Sequence, residues 1–359
     1  MNEKQEATTP KLLGDSVAKS GPQSGPDQTI AAAIGQAETG PALMAYGLFA
    51  IFARLLRPAL TTALALPILW GLALAHWHGA AMNGWSIALL LIANSAFCVG
   101  LSLAGQYVDF RRALKNDRAA LSSEHFIGVE GQPPPLQDVF QLLHSNRVRP
   151  GAVRSLVFLC LWIAMLAYLW LSELVGWPLL FFGVLSVLLA AVSLLPVIRY
   201  SRWQWLLGDA AILVAVGLLP GLSAYYAHRE VIDRWVLLAS VAPAVLAWLT
   251  FMAYNLLSWR RDWRLRRGTA ITIFGPERAL DGAAVMGVAS FTSVLLLMAL
   301  GSLPLSSLLV LGSLPIFLRA FTHTNQQPLT PASAAYVIDR STQAAILAGL
   351  LWMLALWNG

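Results

Sequence analysis

Cysteine is nearly absent. The 359 residues include two, Cys98 and Cys160, both inside apolar runs and with no CxxC spacing. That excludes a disulfide scaffold and a cysteine zinc site, and leaves both thiols as small buried hydrophobes. Charge is scarce as well. Asp, Glu, Lys and Arg make up 12% of the chain, against about 25% in an ordinary soluble domain. With 57% hydrophobic residues and a mean hydropathy of +0.64, this excludes a soluble globular enzyme. Strict apolar–polar alternation is missing from the apolar runs, which excludes a β-barrel. The few histidines offer no metal-ligand spacing: His76 and His78 flank the outer end of an apolar run, and His125 and His144 stand in a long loop. Ser/His/Asp arrangements, Gly-rich nucleotide loops and haem signatures are also lacking.

What the sequence does have is long apolar segments. Nine candidate spans fall near 58–76, 86–107, 152–172, 175–197, 206–225, 235–255, 279–300, 303–319 and 338–357. Nine spans of about 20 residues would absorb roughly half the chain. The expected architecture is an all-α polytopic membrane bundle over 58–357. Residues 1–30, rich in polar residues, Gly and Pro, read as a disordered tail, and no signal peptide is visible. Residues 31–57 read as an interfacial amphipathic helix.

The net charge of +6 does not point to nucleic acid, because the basic residues sit in short loops between apolar segments. The 109–154 connection carries Arg111, Arg112, Lys115, Arg118, Arg147, Arg149 and Arg154, and the 255–278 connection carries Arg260, Arg261, Arg264, Arg266, Arg267 and Arg278. The 77–85 and 173–177 connections have no Lys or Arg. The positive-inside rule then puts the amino terminus in the cytoplasm and the carboxyl terminus outside, as in a bacterial inner membrane. Pro133-Pro134-Pro135 reads as a stiff turn before a short amphipathic stretch at 136–144, an insert placed to cover a site or meet a membrane-protein partner.

Three polar clusters interrupt the apolar pattern. Ser102, Gln106 and Asp109 are spaced i, i+4, i+7 and share one helical face. A polar stripe inside a span faces the protein interior or an aqueous cavity. Five arginines within Arg260–Arg267, just after Asn255, form an anion-attracting surface suited to a diphosphate or to anionic lipid headgroups. Asp209 sits about one turn into an apolar segment, after Arg199-Tyr200-Ser-Arg202, and needs an internal partner or a cavity. Trp259 and Trp263, four apart, suit interfacial anchoring.

At these residues the chain resembles the UbiA superfamily of intramembrane prenyltransferases, nearest the 1,4-dihydroxy-2-naphthoate polyprenyltransferase branch. The resemblance is carried by Phe52-Ala-Arg54-Leu-Leu-Arg57-Pro58, Leu66-Pro67 and Trp70-Gly71. It continues through Gln106-Tyr-Val-Asp109-Phe-Arg111-Arg112, Gly208-Asp209 to Gly217, Pro220 and Tyr225-Tyr226, then Asn255 to Gly268 and Phe274-Gly275. It spans about residues 48–355. It implies a nine-helix bundle in which two aspartate-rich motifs bind Mg²⁺, which holds a prenyl diphosphate for transfer to a hydrophobic aromatic acceptor. It also implies catalytic roles for Asp109, Asp209 and Asn255. Substrate contacts would come from Arg57, Ser102, Gln106, Arg111, Arg112, Lys115, Tyr200, Arg260, Arg261 and Arg264. The metal ligands would be Asp109 and Asp209, with Asp117 and Asp262 as further candidates.

The chain departs from the family pattern at the carboxylates. Gln106 and Ser102 stand where an aspartate and an asparagine are expected, Lys115 replaces a later acid, and Trp259 and Trp263 occupy the usual second-motif aspartate positions. Amides and hydroxyls coordinate a hard cation without balancing its charge. Arginines and Lys115 are the alternative counter-charge, since guanidinium matches phosphate oxygens. Three functions stay open at this point: a divergent prenyltransferase, an isoprenoid cyclase or rearrangement enzyme, and a non-catalytic isoprenoid-binding or assembly subunit.

Overall fold

The computed structural model describes residues 58–116, 139–144, 148–322 and 331–357. The expected tail, the interfacial helix with Arg57, and Asp117 lie outside the described residues. Among the described residues there is no strand.

Among the described residues the architecture is carried by the helical segments α1 (Leu60–Trp77), α2 (Gly84–Asn116), α3 (Pro150–Leu174), the shorter α4 (Pro178–Leu194), α5 (Arg202–Arg229), α6 (Arg234–Arg264), α7 (Pro276–Ala299), α8 (Leu305–Thr322) and α9 (Pro331–Trp357). Seven of these are long and apolar enough to cross a membrane, all but α4 and α9. The chain is an integral membrane protein. The fourth and ninth expected spans fall on the 17-residue α4 and on the 27-residue α9. Proline at the first turn begins α3, α4 and α7, where its missing N–H costs no helical bond. The α4 helix ends early for the converse reason: Leu195 precedes Pro196 and is extended, with ψ 128°.

The helices pack in chain order, α2 along α3, α3 on α4 and α5 on α6, while α1 fills the space between α5 and α9. Small residues allow the closest approach. A Cβ on Gly71 of α1 would collide with the backbone carbonyl of Gly221 in α5. Without a hydrophobic drive in lipid, such contact is what joins helices. Trp70 and Trp352, among the largest fully buried side chains, stack with centroids 3.2 Å apart and join α1 to α9.

At the other end of α1 from the arginine clusters, His78 Nδ1 lies 2.6 Å from the Tyr225 hydroxyl, and Arg229 donates to the His78 carbonyl at 2.9 Å. Burial first, then the Arg229 charge, holds the imidazole below its ordinary 6.5. The folded state therefore binds fewer protons than the unfolded one, and stability present above about pH 6.5 is lost as pH falls below it. Melting in detergent should show that acid-side loss, and His78→Gln should flatten it. An unchanged profile in the variant would refute the assignment.

Candidate functional site

The site begins at the Pro196 break. The chain leaves α4, makes a single turn at Pro196–Arg199, and enters a short 3-10 turn, Arg202–Trp205, capped by the Ser201 hydroxyl accepting from Trp203 N at 3.2 Å. This connector lays Arg199 against α2. Its Nε donates to Asp109 Oδ1 at 2.8 Å, and its Nη2 donates to Asp109 Oδ2 at 2.7 Å and to the Gly105 carbonyl at 3.0 Å. Two parallel bonds from one guanidinium to one carboxylate are the strongest form of this pairing. Glycine at 105 makes the approach possible, since a Cβ there would stand 3.1 Å from Arg199 Nη2. The neighbouring Tyr200 hydroxyl donates to Asp109 Oδ1 at 2.9 Å, and the Arg112 guanidinium lies 3.7 Å over the Tyr200 ring.

Burial opposes the Arg199 charge, but the Asp109 carboxylate outweighs it and holds the guanidinium above its usual range. Burial, then the same negative charge, pushes the Tyr200 phenol up. Tyr200 is therefore a protonated donor at neutral pH.

The second half comes from the end of α6, which loosens into a 3-10 turn over Asn255–Ser258 before Trp259–Arg264. Asp262 is fully buried and accepts from Ser258 Oγ at 3.1 Å, Arg267 Nη1 at 3.1 Å and Arg261 Nε at 3.4 Å. Arg267 Nη1 also stands 3.6 Å from Asp109 Oδ2, so one guanidinium bridges the two acids. Arg266 takes a left-handed φ of 57°, which turns the chain back so that Arg267 N reaches the Asp262 carbonyl at 2.8 Å. The Arg261 guanidinium lies 4.5 Å over the Phe140 ring. Phe140 belongs to the short helix Val139–His144, tied to α2 by Val139 N donating to Gln106 Oε1 at 2.8 Å. The Val139–His144 helix thus packs on the site.

These elements enclose a cavity of about 50 Å³. Its polar wall is Ser102, Gln106, Asn255, Ser258, Arg199, Arg261 and Arg267, and its apolar wall includes Leu101, Leu194, Ile212, Phe251 and Leu257. Among the described residues no acid lines it. Asp109 and Asp262 are spent on the arginines, which present themselves to the space instead.

Of the expected residues, the structure gathers Ser102, Gln106, Asn255 and Arg261 around this cavity, with Asp109, Asp262 and Tyr200 supporting the arginines. Arg111, Arg112 and Lys115 line a separate outer groove with Tyr107, Pro150 and Tyr200. Arg260 and Arg264 are exposed. Asp209 is buried and lies 3.4 Å from Gln204 Nε2, but it lines a different, largely apolar groove of about 290 Å³ with Trp205, Trp248, Met252 and Phe274. The two spaces share no lining residue although both draw on α5 and α6: Ile212 and Phe251 line the cavity, whereas Asp209 and Met252 line the groove. Arg199, Ser258 and Gly105 are not among the expected site residues, and Arg267 is expected only as one of five arginines on an anion-attracting surface.

Magnesium needs oxygen ligands in near-octahedral array, usually with one or two carboxylates. The cavity offers neutral oxygens from Ser102, Gln106, Asn255 and Ser258, and three guanidinium groups. Of the described acids expected to hold the ion, Asp109 and Asp262 accept from arginine and Asp209 faces another space. Among the described residues no group of three or more His, Cys, Asp or Glu is placed to hold a metal. This donor set does not fit Mg²⁺.

No protein-family model and no curated protein matches the chain. Its backbone is similar to solved structures that include the following three. A UbiA homologue from Archaeoglobus fulgidus, bound to DMAPP and Mg²⁺, is 13% identical with a TM-score of 0.56, over 86% of this chain and 99% of that one. A UbiA homologue from Aeropyrum pernix K1 is 15% identical with a TM-score of 0.52, over 82% and 96%. A digeranylgeranylglyceryl phosphate synthase is 12% identical with a TM-score of 0.51, over 86% and 98%. The fold is UbiA-like.

Proposed function

We propose that this integral membrane protein with a UbiA-like fold is a divergent member of that superfamily, one that transfers an isoprenoid chain from a prenyl diphosphate to a hydrophobic aromatic acceptor within the membrane. One observation carries the reading: the segments resembling the two family motifs, Ser102–Asp109 and Asn255–Arg267, meet at one cavity lined both by arginines and by apolar side chains. That is the combination an amphiphilic diphosphate requires.

The chemistry asks the site to take up negative charge as the allylic C–O bond breaks and its electron pair leaves with the diphosphate. A ring carbon of the acceptor then forms the new C–C bond and gives up its proton. Preorganised guanidinium donors stabilise a departing diphosphate without reorganising. The wall of Leu101, Leu194, Ile212, Phe251 and Leu257 keeps water from the allylic cation. The basic segments carrying the site fit a cytoplasmic placement, with the amino terminus on the same side in a bacterial inner membrane.

A second reading, a non-catalytic isoprenoid-binding or assembly subunit, is favoured by the engagement of Asp109 and Asp262 with arginine. Incubating the purified protein with geranylgeranyl diphosphate and a panel of aromatic acceptors separates the two. Release of inorganic diphosphate together with a product heavier by the prenyl group supports the transferase. Release with a product lacking the acceptor points to cyclisation. Tight binding with no release would overturn the transferase reading.

A further inference from the structure

We infer that the cavity binds the phosphate end of its ligand directly on Arg199, Arg261 and Arg267, with no divalent cation between protein and anion. This rests on reading the cavity as the diphosphate site. Three observations support it. The arginines line the space whereas Asp109 and Asp262 do not, so the charge presented is opposite to that of a metal clamp. Each acid fixes guanidinium groups without exhausting their donors. Arg199 holds Asp109 and the Gly105 carbonyl through Nε and Nη2, and Arg267 meets the two acids through Nη1. Finally, Arg267 is 6% exposed, and its Nε is buried with no hydrogen-bond partner. A buried guanidinium N–H left unpaired is costly, so the Arg267 group, which lines the cavity, holds donor capacity beyond its two acids.

The positive charge is also locally in excess, since three arginines face two acids within the network. The neutral donors alongside, Ser102, Ser258 and Asn255, hydrogen-bond phosphate oxygens without adding negative charge. An isoprenoid diphosphate and a membrane phospholipid share this phosphate chemistry, and the experiment distinguishes them.

The test is calorimetric titration of the purified full-length protein in detergent. The ligands are geranylgeranyl diphosphate, inorganic diphosphate and phosphatidic acid, each with excess Mg²⁺ and with EDTA. Geranylgeranyl diphosphate is expected to bind equally in both conditions, and Arg267→Met to weaken it roughly tenfold or more, as loss of charge-assisted bonds implies. Arg267→Lys, which keeps the charge but loses the planar fork, should recover only part of that loss, and it tests the point if the methionine variant fails to fold.

Binding that vanishes in EDTA and returns with Mg²⁺ would overturn the direct-arginine inference while leaving the diphosphate site intact. Binding of phosphatidic acid alone, insensitive to EDTA and lost in Arg267→Met, would keep the arginine site and overturn the isoprenoid reading. Equal binding by the wild type and both Arg267 variants, or no binding of any ligand, would overturn the inference.

Discussion

Replacing Asp109 with alanine is expected to destabilise the protein by about 3–5 kcal/mol, the usual result of stripping one partner from a buried ion pair. Arg199 is 3% exposed and gives Asp109 two bonds, so its charge would be left in the bundle with the Gly105 carbonyl as its remaining acceptor. The Tyr200 hydroxyl would lose its acceptor too, and Arg267 would lose one of its two acids. The paired change Asp109→Ala with Arg199→Met should recover most of the loss, because apolar replacement of a whole buried pair is often neutral. Denaturant titration in mixed micelles measures both. If Asp109 were a metal ligand, the single variant would keep its midpoint and lose only metal-dependent behaviour, and that outcome would refute the structural assignment.

Trp352→Ala should cost about 3 kcal/mol, the low end for tryptophan truncation in a core. The low end applies because an unfolded span in lipid is already surrounded by apolar chains, so little transfer energy is lost. What is lost is packing. Trp352 is fully buried, stacks on Trp70 with 7° between the planes, and donates its indole N–H to the Trp70 carbonyl at 3.4 Å. The space left cannot close without moving α9 toward α1, and a cavity's lining atoms forfeit their dispersion contacts. Trp352→Phe, which restores a ring, should recover a large part. A midpoint unchanged by the alanine variant would mean that α9 is not held through this stack.

The helical bundle is legible in the sequence because lipid imposes a simple demand: a span needs about 20 apolar residues with internally bonded backbone. Pro178 and Pro196 explain why α4 is shorter than its apolar run. Half of the site is legible for a related reason, since Ser102, Gln106 and Asn255 are costly in a span unless they face a polar space. Arg199 is not legible in this way. It follows an apolar run and reads as a loop charge, and the 90 residues between it and Asp109 hide their pairing. Arg267 is hidden by its company, one arginine among five, distinguished only by the turn at Arg266 that folds it back onto Asp262. Asp109 and Asp262 are visible as acids, but spacing gives the face a residue occupies and not what meets it. Asp209 shows the same limit: its helix is expected, and the side of α5 on which it falls depends on how α6 lies beside it.

Gly105 bears on how this pair is held. The absence of one carbon lets Arg199 lie flat on α2 and occupy Asp109. A Cβ there would stand 3.1 Å from Arg199 Nη2, so the guanidinium would have to give way by a few tenths of an ångström while keeping its bonds to Asp109 and the Gly105 carbonyl. The hold of the arginine on the acid thus depends on clearance along a helix backbone as much as on the two charges.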